Sequence, residues 1–223
     1  MDSSKEAAAR EALKFVKKGQ KVGLGTGSTT KIFIDLLGEK NRESDLELAC
    51  VATSKATEKQ AKSLGLKLVG FEGMGKLDVA FDGADKVDSD LNLIKGRGGA
   101  LVREKIVDYR AGKFIVMVGE DKLVRKLTGV VPVEIIPMAE EAVKWDLLKL
   151  GARKFETRMD GKLKFVSDNS NTILHAEFPE IAGPAKLEDA INRIAGTVDN
   201  GIFTQNRPIV VVGNKDGSTR ILR

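Results

Sequence analysis

Aromatic residues are scarce in this 223-residue chain, at 5% of positions, with one tryptophan, Trp145, and one tyrosine, Tyr109. So few flat rings leave little for nucleic-acid bases to stack on, which disfavours single-strand binding. Cysteine and histidine occur once each. Cys50 therefore closes no internal disulfide, and within LELACVAT it reads as a small core residue. With His175 as the sole imidazole, the usual zinc or non-haem iron ligand set cannot be assembled, and no metal site is expected. His175 itself lies in the alternating segment TILHAEF and reads as the outward polar face of a strand. No apolar run approaches the roughly 18 residues of a membrane span. The start MDSSKEAAAR carries neither an apolar signal core nor a myristoylation glycine, so a cytoplasmic protein without membrane partners is expected.

What is present is the composition of a folded domain: 42% hydrophobic and 31% charged residues. The length suits one or two domains with a real core. Thirty-seven Lys and Arg against 32 Asp and Glu give +5, a modest excess that suits a phosphorylated small molecule as well as a nucleic acid.

Residues 3–18 read as a helix capped by Ser4 and stopped by Gly19. A short apolar strand at 21–24 runs into GTGSTT, and a helix face formed by Ile32, Phe33, Leu36 and Leu37 ends near Gly38. LELACVAT, a helix over 55–64, LKLVG, KLDVAFDGAD, a helix over 99–110 and KFIVMVG continue the alternation. Near-continuous apolar strands alternating with helices predict an α/β fold, Rossmann-like, with a mostly parallel sheet and helices on both faces. After Val130 the pattern changes to strand, helix, consecutive strands with a tight turn at Asp160-Gly161, a helix over 186–194, and the strand TVDNGIFT. This order predicts a smaller α+β ferredoxin-like module at 130–205, inserted into a discontinuous main domain of residues 1–129 and 206–223.

Three segments carry candidate chemistry. In GLGTGSTT (23–30), glycines allow close backbone approach to an anion at a helix N-terminus, and Thr26, Ser28 and Thr29 add hydroxyls. The glycine spacing matches neither the dinucleotide fingerprint nor the Walker loop. The alternative is a tight turn with Ser28 or Thr29 capping the helix. In VAFDGADKVDSDLN, Asp82 arrives at the carboxyl end of an apolar strand, where open α/β sheets bind ligands. Asp85, Asp88 and Asp90 follow; Leu93 and Gly99 break the calcium-loop pattern, and Asp88 and Asp90 read as a solvated acidic loop. In LIKGRGGALVREK, Lys95 and Arg97 sit in a glycine-rich turn and Glu104 one turn into the next helix. A phosphate cradle, carboxylates at a sheet edge, a lysine and a separate glutamate suit proton transfer on a sugar phosphate, with fixed positive charge for an enediolate.

With GLGTGST, DGAD and KGRGGALVREK in this order, and with VPVEIIPM and the closing strand in place, the whole chain resembles type A ribose-5-phosphate isomerases. The resemblance implies cofactor-free interconversion of D-ribose 5-phosphate and D-ribulose 5-phosphate through a cis-enediolate, in a cytoplasmic homodimer or homotetramer. By motif it assigns Glu104 as the proton-transferring base and Asp82 as the ring-opening group. Asp85 and Lys95 correspond to residues that hold and polarise the reacting oxygens. Thr26, Gly27, Ser28, Thr29, Gly83, Ala84, Gly96, Arg97 and Gly98 correspond to substrate contacts, as do Lys122 in GEDK and the amino-terminal Lys5. Arg97 stands where many relatives carry a further glycine. A sugar-phosphate sensor is the alternative of another class, disfavoured by the full carboxylate set.

Overall fold

The computed structural model describes residues 3–73 and 75–223. In chain order its helices are α1 (Ser3–Ala12), α2 (Ser28–Ser44), α3 (Lys55–Ser63), α4 (Leu101–Asp108), α5 (Glu140–Lys149) and α6 (Pro184–Asn192). The strands are β1 (Lys21–Leu24), β2 (Ala49–Ala52), β3 (Leu77–Gly83), β4 (Lys86–Val87), β5 (Leu93–Ile94), β6 (Ala111–Gly119) and β7 (Gly129–Ile135). They continue as β8 (Lys154–Thr157), β9 (Met159–Asp160), β10 (Leu163–Lys164), β11 (Thr172–Phe178), β12 (Thr197–Asn200), β13 (Ile202–Phe203), β14 (Ile209–Gly213) and β15 (Thr219–Leu222).

Two compact units result: Met1–Ala84, Arg103–Leu123 and Asn206–Arg223 form one, and Asp85–Val102 with Val124–Gln205 form the other. The division expected from sequence differs at 85–102 and 124–129, which group with the second unit. The physical reason is pairing: β5 bonds to β4 and β13, and Val124 donates to the Val87 carbonyl.

The first unit holds a six-stranded sheet in the order β15-β14-β6-β3-β1-β2, parallel except for the closing β14–β15 hairpin. Side chains alternate across it, as a two-residue period requires. Val22, Leu24, Val79, Phe81, Ile115 and Met117 join the core with α1 and α2, where Phe33 stacks on Phe81 at 4.3 Å. On the other face Gly23 lies against Ala80 and Val107 of α4; a Cβ there would sit 2.5 Å from Val107 Cγ1. Helices thus cover both faces. Gly38 does not end α2 but lies within it, where a side chain would collide with Leu64, so it marks close helix packing rather than a stop. The first helix is also shorter than expected: it ends at Ala12 in a single tight turn, Leu13–Phe15, and Ser4 lies inside it rather than capping it. LKLVG contributes only the bridge Cys50–Leu68.

In the second unit β7, α5, β8, β11, α6 and β12 build a four-stranded sheet ordered β12-β7-β11-β8, with all neighbours antiparallel. Strand–helix–strand–strand–helix–strand with this order is the ferredoxin-like arrangement. Its core is Val131, Val133, Ile135, Leu147, Leu174, Ala176, Phe178 and Ile191. The β9–β10 hairpin turns at Gly161 and Lys162, one residue beyond the expected position, with Asp160 paired to Leu163. TVDNGIFT is not one strand: it switches at Gly201 from β12 into β13, which pairs with β5. A Cβ at 201 would lie 2.2 Å from the Lys95 carbonyl oxygen, so only glycine lets the chain pass.

Candidate active site

In the first unit the parallel strands deliver their carboxyl ends to one edge. β1 ends at Leu24, and Gly25 follows so closely over β3 that a Cβ would lie 2.1 Å from Asp82 Cγ and Oδ1. Asp82 is fully buried, and its Oδ1 accepts from the Gly83 N–H (2.7 Å), the Thr26 N–H (3.1 Å) and Thr30 Oγ1 (3.3 Å). The carboxylate is thus tied to the glycine turn by backbone donors as well as by its own strand. Gly27 is the N-cap of α2, at φ 139°, and no side chain caps that end. Neither Ser28 nor Thr29 plays the capping part. The first intrahelical bond runs from Lys31 N–H to the Gly27 carbonyl, so the N–H groups of Ser28, Thr29 and Thr30 precede the ladder at a positive helix end.

The Thr26 hydroxyl, expected to face a phosphate, is held within a hydroxyl cluster: 2.8 Å from Thr53 Oγ1, donating to Ser54 Oγ at 2.9 Å, and 3.2 Å from Thr57 Oγ1. Thr57 Oγ1 donates to the Gly25 carbonyl, and Ser54 caps α3 by accepting from Thr57 N–H. The cluster therefore braces the turn, leaving the exposed Gly27 and Ser28 as the accessible part. An open pocket of about 400 Å³ adjoins it, lined by Thr26, Gly27, Lys31, Thr57 and Lys59 among others.

Glu104 lies in the first turn of α4 and is 2% exposed. It precedes Val107 by three residues, on the same helix face, about 4.5 Å nearer the helix N-terminus. The far end of α4 leads into the start of β6, so the turn that holds Glu104 is the end of α4 away from the start of that strand. Lys122 follows β6 at this edge, half-exposed and 2.9 Å from Asp121. Lys5 is in the first turn of α1, which approaches the ends of β6 and β14 so closely that side chains at Gly119 and Gly213 would strike Ser4.

In the second unit the residues around β4 and β5 form a compact turn. Asp88 is buried, not solvated as expected: its Oδ1 accepts from Asp90 N–H and Asn92 N–H, shaping the hairpin, while Asp90 is exposed. Asp85 N–H donates to the Ile94 carbonyl, and its carboxylate accepts from Arg97 N–H at 3.2 Å. Lys95 is 2% exposed, with Nζ 5.3 Å from the Phe203 ring centre and its N–H on the Gly201 carbonyl. Gly96, at φ 99°, allows the turn, and Arg97 and Gly98 are exposed. Lys95, Asp85 and the Gly96–Gly98 backbone thus belong to one structure.

Several residues here escaped the sequence reading. Arg158 Nη1 donates to the Arg97 carbonyl at 2.6 Å, and its guanidinium lies 3.9 Å from the Phe165 ring centre. His175 lies on the face of β11 opposite the core residues Leu174 and Ala176, as expected, and is half-buried there; burial pushes its pKa down, with Arg158 and Arg97 acting in the same direction and Glu156 and Asp85 against it. Thr30, Thr53, Ser54 and Thr57 hold the first unit's turn. Only the hydroxyl-rich TSKAT following a strand hinted at this group. Cys50 is a core residue, its thiol pushed up to about 12 by burial. Among the described residues no group of three or more His, Cys, Asp or Glu is placed to hold a metal ion, and no helix is long and apolar enough to cross a membrane.

The family model of ribose 5-phosphate isomerase A (phosphoriboisomerase A) matches residues 49–217. The ribose-5-phosphate isomerase A of Pyrococcus horikoshii is 44% identical, over all of this chain and 99% of that protein. A solved D-ribose-5-phosphate isomerase in complex with phospho-erythronic acid superposes with a TM-score of 0.93 at 44% identity, covering 98% of this chain and 96% of that one. The ribose 5-phosphate isomerase A of Methanocaldococcus jannaschii superposes at 0.92 with 42% identity, covering 98% and 97%. With a glycine turn braced against a buried carboxylate and kinship along its full length, the chain belongs to the ribose 5-phosphate isomerase A family.

Proposed function

We infer that this protein is an aldose–ketose isomerase that interconverts D-ribose 5-phosphate and D-ribulose 5-phosphate in the non-oxidative pentose phosphate pathway. The observation that carries the reading is full-length kinship joined to a buried Asp82 beneath the Gly25–Thr29 turn. Asp82 takes the anomeric hydroxyl proton as the ring C–O bond breaks, and a proton reaches the ring oxygen, giving the open aldehyde. Glu104 then removes the C2 proton; the electron pair forms the C1=C2 bond, and the carbonyl electrons move to O1 as a cis-enediolate. Return of the proton to C1, with transfer of the O2 hydroxyl proton to O1 as the C2=O2 bond forms, gives the ketose. General-base help of this kind contributes about 10² to 10⁴ in rate. Lys95 and Asp85 hold and polarise O1 and O2, where fixed positive charge stabilises the oxyanion.

Gly27, Ser28 and Thr29 offer backbone N–H groups and hydroxyls to the phosphate, as helix N-termini do. Lys5 and Lys122 supply cations, and the resemblance assigns substrate contacts to Gly83 and Ala84 and to Gly96, Arg97 and Gly98. No step needs a metal or organic cofactor, and the enzyme works in the cytoplasm. We also infer a homodimer or homotetramer: Met138, Trp145, Leu148, Met159, Leu163 and Val166 expose large apolar surface on the second unit, which a second copy would cover. Proton NMR of chelator-treated protein with ribose 5-phosphate tests the activity. Ribulose 5-phosphate is expected to accumulate to equilibrium, whereas folded protein that binds the sugar phosphate without converting it would favour the sensor reading.

A further inference from the structure

The Arg97–Gly98 peptide is held from one side only. Its carbonyl accepts from Arg158 Nη1 at 2.6 Å. The peptide is trans, so its N–H, that of Gly98, points the opposite way. Gly98 is exposed, and its N–H makes no hydrogen bond among the described residues. The preceding peptide is fixed as well, through Arg97 N–H on the Asp85 carboxylate.

The guanidinium is itself well supported. It stacks on Phe165, while Arg158 N–H donates to the Ile173 carbonyl of β11 and Phe165 N–H donates to the Arg158 carbonyl. The turn rests directly on this pair. A Cβ at Gly99, where φ is 84°, would lie 2.6 Å from both Arg158 Nη1 and Phe165 Cε1. Burial lowers the Arg158 pKa, as for a partly desolvated cation, yet an arginine stays charged at neutral pH. A charge-assisted bond to a carbonyl draws electron density from the amide and strengthens the opposite N–H as a donor.

We propose that Arg158 is a positioning residue for the reaction, orienting and polarising the Arg97–Gly98 peptide so that the Gly98 N–H donates to a substrate oxygen that gains negative charge during enolisation. This rests on the isomerase reading above. It extends that reading to a residue of the β8–β9 connection, which no motif marks. The donor acts alongside Lys95 and Asp85, which belong to the same turn. Its benefit grows as charge develops, so its weakening should appear in kcat rather than KM.

The test is steady-state kinetics of Arg158→Met and Arg158→Lys, with millimolar guanidinium added back to the methionine variant. Loss of one oxyanion donor costs about 10² to 10³ in kcat, and weakening one should cost about 10- to 100-fold. We expect that loss in Arg158→Met at nearly unchanged KM, with partial recovery by guanidinium and by lysine. A kcat within twofold of wild type, or a loss confined to KM, overturns the assignment while leaving the isomerase reading intact. Wild-type protein that fails to convert ribose 5-phosphate removes both. Should Arg158→Met melt early, the wild type decides: the Gly98 amide proton signal should move downfield on saturation with ribose 5-phosphate, and an unmoved signal overturns the proposal.

Discussion

The two units both bury charged groups but differ in the apolar surface they leave open. In the first, charged groups are inside: Asp82 and Glu104 are enclosed beneath a parallel sheet edge and a short helix, and large apolar side chains are almost all covered. In the second, large apolar groups are outside, with Met138 93%, Leu163 76% and Trp145 67% exposed. Of the nine exposed large apolar side chains among the described residues, eight lie in the second unit and only Ile221 in the first. Enclosing a carboxylate is costly unless donors meet it, and the backbone N–H groups of Thr26 and Gly83 do so for Asp82. Exposed apolar surface carries a smaller cost, and a contiguous patch of it marks a face for interaction. The contrast teaches that the first unit closes its apolar core around Asp82 and Glu104, whereas the second, which also carries Lys95 and Asp85, leaves an apolar face open.

The largest expected effect tests the chemical side. Glu104→Gln removes the proposed proton carrier at constant shape, so kcat should fall by about 10² to 10⁴ while the melting temperature hardly moves. Steady-state assays with thermal unfolding check this, and near wild-type turnover would assign the base elsewhere.

Gly25→Ala comes next. A methyl group placed 2.1 Å from the Asp82 carboxylate must displace it, and overpacking of this kind costs typically 1 to 3 kcal/mol. Denaturant unfolding should show that loss together with a kcat reduction of at least tenfold; retention of both would mean that Asp82 tolerates movement.

The assembly side is tested by Trp145→Glu combined with Leu163→Lys. Charges on the exposed face should lower the oligomeric state seen by sedimentation, with kcat changed by less than about threefold if the chemistry resides in groups the face does not touch. Collapse of activity on dissociation would break the contrast between the two units.

The smallest effect concerns acid stability. Glu140 accepts from Lys144, Lys164 and Thr157, which hold its carboxyl down to about 2 from the ordinary 4.5. A carboxylate whose pKa is lowered on folding contributes stability above its unfolded pKa and loses it as pH falls toward the folded value. Wild type should therefore lose stability between about pH 4.5 and pH 2 more steeply than Glu140→Gln, by pH-dependent denaturant titration.

Much of this arrangement was legible in the sequence because it is local. Apolar strands such as KFIVMVG, the glycine turn after β1, and Asp82 at a strand's end follow from short-range pattern, and the structure places them at one edge. What escaped is set by contacts between distant segments. Arg158 meets Arg97 across 61 positions, and a lone arginine before a hairpin carries no signal of that partner. Gly201 reads as the continuation of a strand until the Lys95 carbonyl is found against it, and Gly38 reads as a helix stop until Leu64 is found beside it. Thr26 was legible as part of the turn, but its hydroxyl's direction depended on Thr53 and Thr57 closing over it.

The central claim is that Glu104 carries the proton between C2 and C1. Its most direct test is deuterium incorporation at C1 of ribulose 5-phosphate formed in D₂O, comparing wild type with Glu104→Gln by proton NMR. The account predicts deuterium in the wild-type product, and from the variant almost no product. Rapid product formation by Glu104→Gln with the same deuterium content would contradict it.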